Sequence, residues 1–169
     1  MNVQLRRLRT MGLIVGVALL AAPATAAPRL KLGRAQLVGA STVAVPVKLD
    51  ARRQDGVAAL NFTLRYDPAL LEVAGREVKA GQAVKRARAE LASKAEQATG
   101  AVRVLVVPEF SPDFGVLRGE RVATVYLRFR GPVPPAPGRW VRRHVQLEEV
   151  VLGDRQGREL HPNADRKGR

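Results

Sequence analysis

GVAALNFTLRYDPALLEV, residues 56–73, decides how this chain is read. Leu60, Phe62, Leu64 and Tyr66 alternate with Asn61, Thr63 and Arg65. That is the period of a strand with one buried face and one wet face. Asp67-Pro68 ends the strand, because proline cannot donate to a ladder and its ring presets φ for a turn. Leu70-Leu71-Glu72-Val73 then brings an apolar run straight back.

Outward from that stretch, short alternating segments recur with turn residues between them, which reads as an all-β sandwich. Leu30 to Val38 opens the set, with Gly33 as a bulge or bend. Val43, Val45, Val47 and Leu49 alternate with Ala44, Pro46 and Lys48, and Pro46 predicts an edge strand or a bulge. The strand at Val57 to Tyr66 is followed by a fourth that begins at Leu70 and ends near Gly75. Ala101 to Val107 places Val102, Val104 and Val106 on one face and Arg103, Leu105 and Val107 on the other, before Pro108. A loop from Glu109 to Gly119 carries Phe110 and Phe114. Arg121 to Arg130 turns Ala123, Val125, Leu127 and Phe129 inward and Thr124, Tyr126 and Arg128 outward. GPVPPAPG, residues 131–138, is a stiff extended connection. Trp140 to Leu152 closes the sheet, and its alternation breaks at Glu148-Glu149, where a bulge restores register.

Residues 76–100 carry two readings. Val84, Ala87, Leu91 and Ala95 fall at helical spacing in a segment rich in Ala, Lys, Arg and Glu. Arg86, Arg88 and Glu90 also alternate with Ala87, Ala89 and Leu91, as in a strand.

The Tyr-Asp-Pro strand with its apolar return resembles the third strand and following turn of cohesin modules. These are the domains that bind dockerins in bacterial cellulosome scaffolds, which act in polysaccharide breakdown. The order of the other segments, from VAVPVKL through GAVRVLV to ERVATVYLRFRG and the Pro-Gly connection, is similar to that family over about Leu30 to Leu160. The resemblance implies a nine-stranded antiparallel β-sandwich with jelly-roll topology, akin to carbohydrate-binding modules. It also favours a strand over about Lys85 to Ala92. One sheet face, from strands 3, 5, 6 and 8, would accept a helical dockerin. On this chain that face would comprise Asn61, Thr63 and Arg65; Arg103, Leu105 and Val107 with Glu109 just beyond; and Thr124, Tyr126 and Arg128. Arg86 and Arg88 would come from strand 5. Where the family pattern has Asn-x-Asp, this chain has Ala59-Leu60-Asn61.

Residues 1–26 read as a cleavable signal peptide. Arg6, Arg7 and Arg9 precede an apolar stretch of 12 residues, Met11 to Ala22, and Ala24-Thr25-Ala26 offers a small-residue cleavage site. The arginine pair leaves general and twin-arginine export both open. Residues 27–160 are then one sandwich domain, and 161–169 a disordered polar tail. The expected location is extracellular, at the cell surface or in the periplasm, with no integral membrane span in the mature chain. The sequence contains no cysteine, so stability must come from burial.

Formal charge is +14 for the whole chain, and +11 once the three arginines of residues 1–26 are removed. Such a charge attracts polyanions, although basic residues spread along a chain also describe an ordinary arginine-rich surface. Aromatic residues make up only 4 % of the chain, too few for the stacking platforms of a nucleic-acid reader. Catalytic chemistry finds no support. His144 and His161 are isolated, Ser41, Ser93 and Ser111 lack a nucleophile elbow, and Asp113 and Asp154 lack a calcium-loop pattern. Adjacent Glu148 and Glu149 point to opposite faces of a regular strand, so only a bulge could pair them. No enzyme activity, metal or cofactor is expected. The sequence reading is an exported, non-catalytic interaction module that docks a protein, dockerin-bearing or part of an envelope assembly. The alternative is a module that binds carbohydrate or an anionic glycan of the envelope.

Overall fold

Alternation sets the core. In the strand Ala59–Tyr66, Leu60, Phe62, Leu64 and Tyr66 are buried, and in Thr42–Asp50 so are Val43, Val45, Val47 and Leu49. The computed structural model describes residues 27–109 and 115–160. Within them lie strands β1 (Arg29–Leu32), β2 (Gln36–Leu37), β3 (Thr42–Asp50), β4 (Ala59–Tyr66) and β5 (Leu71–Ala80). Helix α1 (Gln82–Ala87) follows, then β6 (Ala89–Glu96), β7 (Ala101–Pro108) and β8 (Arg121–Phe129). Helix α2 (Pro137–His144), β9 (Val145–Gly153) and β10 (Glu159–Leu160) complete the described chain. The signal-peptide segment, the tail from His161 and loop residues 110–114 lie outside the described residues.

Two antiparallel sheets face each other. One runs β1-β3-β8-β5, with β2 also paired to β3; the other runs β10-β9-β4-β7-β6. Successive strands switch sheets at β3 to β4, β4 to β5, β5 to β6, β7 to β8 and β8 to β9, the crossovers of a jelly roll. Phe62 and Leu64 from one sheet meet Val45, Val125 and Leu127 from the other in a single apolar cluster. Ten strands lie within the described residues: the opening segment breaks at Gly33 into two, and Glu159–Leu160 adds a short strand against β9.

Pro46 sits in an interior strand rather than at an edge, between β8 and the broken pair β1 and β2. Its carbonyl accepts a bond from the Gly33 amide at 2.7 Å. A strand residue turns its amide and carbonyl to the same side, so the donor that proline lacks falls at the break between β1 and β2. Gly33 fits there because a Cβ would lie 2.8 Å from Pro46 Cγ.

Three boundaries differ from the sequence reading. The strand expected over Lys85 to Ala92 is divided: α1 buries Ala83, Val84 and Ala87 at helical spacing, and β6 starts after it. Arg88 stops the helix in the left-handed region, φ 52, so it caps a helix instead of lining a strand. Trp140 to His144, expected as strand, belong to α2. Pro137 at its first turn presets helical φ, and Trp140 packs edge-on against Phe129 and stacks on His144 one turn later. The fourth strand does not end near Gly75. β5 passes through it as a bulge, with Gly75 at φ 54 and the register shifting between Val73 and Val78.

The Asp67-Pro68 corner is a real turn. Asp67 Oδ1 accepts from the Ala69 amide at 2.9 Å, and its carbonyl accepts from Leu71 at 2.9 Å. Gly100 closes the corner from the other side: its carbonyl takes the Tyr66 amide at 2.8 Å, and it adopts φ 64. An added Cβ would lie 2.1 Å from the Tyr66 carbonyl oxygen. Gly100→Ala is therefore expected to destabilise the domain by about 3 kcal/mol, combining left-handed strain with a backbone clash, as read by urea denaturation.

Candidate docking face

The outward surface of the β10-β9-β4-β7-β6 sheet is built in rows across strands. Cross-strand pairing places Val151 of β9 beside Asn61 of β4, Asn61 beside Leu105 of β7, and Leu105 beside Ala92 of β6. All four are exposed; Leu105 retains 44 % of its accessible surface and Val151 39 %. Leu105 and Val151 flank Asn61, and large apolar side chains left open on one sheet face mark an interaction surface more often than solitary ones do.

The next row is polar. Thr63 pairs with Arg103, and Arg103 with Lys94. Thr63 is only 2 % exposed, and its hydroxyl donates to Glu149 Oε2 at 2.6 Å. One row further, Arg65 lies between Gln146 and Ala101, and Ala101 pairs with Glu96. Arg65 Nε donates to Glu148 Oε2 at 2.9 Å, while Arg103 approaches Glu96 at 3.6 Å. The apolar row is thus bordered by alternating charges held by their neighbours. Glu90 stands exposed beyond it on β6.

The expected bulge at Glu148-Glu149 makes this arrangement possible. Between the pairs Thr63–Glu148 and Asn61–Val151, β9 contains one residue more than β4, and Glu149 takes φ 50. Both glutamates consequently reach the outward surface, where a regular strand would bury one of them. Each is engaged, Glu148 by Arg65 and Glu149 by Thr63.

Of the residues expected on the face, Asn61, Thr63, Arg65, Arg103, Leu105 and Val107 share this surface, with Glu109 just past the end of β7. Tyr126 and Arg128 do not. They stand with Thr124 on β8, which pairs with β3 and β5 in the other sheet. In the sheet of Asn61 and Leu105 the strand beside β4 is β9, so the place expected for β8 is taken by Gln146, Glu148, Glu149 and Val151. Tyr126 instead lies under the Lys79 ammonium, 5.2 Å from the ring centre, and Arg128 pairs with Glu72 at 3.5 Å. Arg86 is also elsewhere, on α1 and paired with Glu120. Lys94 was missed because β6 runs on to Glu96, past the strand expected to end at Ala92. Val151 could have been found by counting back from Leu152 through the broken alternation.

Residues 31–112 match the family model described as the cohesin domain. Among solved structures, the chain is similar to the OlpA cohesin–dockerin complex of Clostridium thermocellum at 18 % identity and TM-score 0.62, covering 80 % of this chain and 92 % of that one. It is also similar to the sixth cohesin of scaffoldin B from Acetivibrio cellulolyticus, solved with a Cel5 dockerin, at 18 % identity and TM-score 0.61, covering 79 % and 91 %. A type II cohesin domain from the A. cellulolyticus cellulosome matches at 13 % identity and TM-score 0.53, covering 80 % and 87 %. No curated protein matches the chain.

Proposed function

We propose, from the match of residues 31–112 to the cohesin-domain family model, that the protein is a non-catalytic docking module. Its partner is a dockerin-like helical segment, seated on the outward face of the β10-β9-β4-β7-β6 sheet. The observation that carries this reading is the exposed row Val151–Asn61–Leu105–Ala92 on the sheet that the family resemblance selects. Solved cohesins of the same fold were captured with dockerins, which supports a partner of that kind.

The dimensions suit a helix. Strands stand about 4.8 Å apart and an α-helix rises about 5.4 Å per turn. A helix laid along the row therefore brings one side chain per turn over each strand. An apolar stripe at i, i+3 or i+4, and i+7 would meet Val151, Asn61 and Leu105 in turn. The fixed charges at Glu148, Arg65, Arg103 and Glu96 then set orientation more than affinity. Export through the signal-peptide-like residues 1–26 would place the module outside the cytoplasm.

A photo-crosslinking amino acid placed at position 105, 151 or 126 in the producing cell tests the face. Positions 105 and 151 should capture one and the same polypeptide, and position 126 should not. Capture at 126 alone would move the interface to the opposite sheet and refute the proposal.

A further inference from the structure

The opposite surface of the sandwich has a different character. Cross-strand pairing in the β1-β3-β8-β5 sheet sets Lys31 beside Lys48 and Lys48 beside Arg121. Three exposed cations therefore stand abreast on three neighbouring strands, across about 10 Å. Like charges directly opposite one another weaken a sheet, so this row costs the fold stability. Exposed Arg34 lies near the same row, with Lys48 and Arg121, around a groove of about 490 Å³. Gln36, Gln82 and Thr124 supply hydrogen-bonding groups along it.

One neighbouring carboxylate offsets part of the row, at Lys31. Asp50 is held by Lys31 at 3.0 Å and Arg29 at 3.4 Å, and the hydrogen bond from Lys31 keeps its carboxyl below the usual range. Glu120 lines the groove and is paired with Arg86. Among the described residues, Arg34, Lys48 and Arg121 have no ion-pair partner. By contrast, Glu90, Glu96, Glu148 and Glu149 all lie on the docking face. Beside Lys94, Arg65 and Arg103 those carboxylates leave that face close to neutral, whereas Lys48 and Arg121 stand on the opposite surface without a paired acid among the described residues.

We propose that the row Lys31–Lys48–Arg121, with Arg34 at the adjoining groove, binds a linear acidic polysaccharide laid across β1, β3 and β8. A glycan bearing one carboxylate per sugar repeats on the scale of the strand spacing, so successive carboxylates meet successive cations. Its hydroxyls match Gln36, Gln82 and Thr124. Nucleic acid fits less well, because stacking needs free aromatic faces and Tyr126 is already covered by Lys79. A membrane fits less well too, since Ala44 and Pro46 are the apolar groups at the groove and neither is large enough to insert. The site lies opposite the docking face and does not depend on it.

The test uses the exported protein with polygalacturonate, a neutral dextran of similar length and oligothymidylate. Polygalacturonate should bind and dextran should not. Lys48→Gln with Arg121→Gln should weaken binding at least tenfold and flatten its salt dependence. The same double variant should melt at the wild-type temperature or above it, because a like-charge row has been relieved. Arg142→Gln with Arg143→Gln, an equal loss of charge on α2, should leave affinity unchanged. Equal loss in both double variants would assign the binding to net charge and overturn the site. So would undiminished binding by the Lys48/Arg121 variant, or tighter binding of oligothymidylate than of polygalacturonate.

Discussion

Leu105→Asp combined with Val151→Asp is expected to reduce partner binding by a hundredfold or more without unfolding the domain. Burying a Leu or Val side chain contributes about 1.5–3 kcal/mol, and each 1.4 kcal/mol is worth about tenfold in affinity. Losing both anchors forfeits that burial. It also forces two carboxylates to be desolvated against a partner that offers apolar groups. The folded state has little reason to respond, because both side chains already face solvent and exposed substitutions shift stability by about 0.5 kcal/mol or less. Calorimetric titration with the crosslinked partner, beside thermal melts, separates the two effects. Wild-type affinity in the double variant would remove the apolar row from the interface.

Phe62→Ala is the largest stability effect expected in the chain, about 3–5 kcal/mol. The ring is 0 % exposed and is among the largest fully buried side chains of the core. It sits at the middle of β4, which is flanked by β7 and β9, so no edge is free to collapse into the void. Domains of this size have total stabilities of about 5–15 kcal/mol, and such a loss leaves a molecule near its unfolding midpoint. Urea titration of the variant should show an earlier transition with an unchanged slope. A loss under 1 kcal/mol would mean that the two sheets close over the cavity, contrary to the packing seen here.

Sequence reading found β4 because half-burial writes a period of two directly into Leu60, Phe62, Leu64 and Tyr66. The Asp67-Pro68 corner and the Glu148-Glu149 bulge were legible for the same reason, as a stop and a break in a regular pattern. Partnership between strands was not. β8 and β9 each alternate well, and nothing local to Thr124–Arg128 records that this strand pairs with β3 rather than β4. The family match ends at residue 112, before either strand begins, so resemblance could not settle that choice. Arg86 and Arg88 misled because alternating Ala and Arg satisfies helix and strand alike. Only the burial of Val84 and Ala87 together selects the helix. At Trp140, the helix depends on Ala136 adopting φ 54 after a proline run, a conformation that alanine does not announce.

The extra residue in β9 gives the two halves of that strand opposite parity. Before it, even-numbered positions 146 and 148 look outward; after it, odd-numbered 149 and 151 do. Insertions or deletions in this segment are tolerated only where they preserve that count. A single-codon change would exchange surface for interior along everything on one side of it. The recognition surface is thus encoded by an odd–even rule with one exception, and alignments that ignore the exception will exchange the outward Val151 for its inward neighbour Val150.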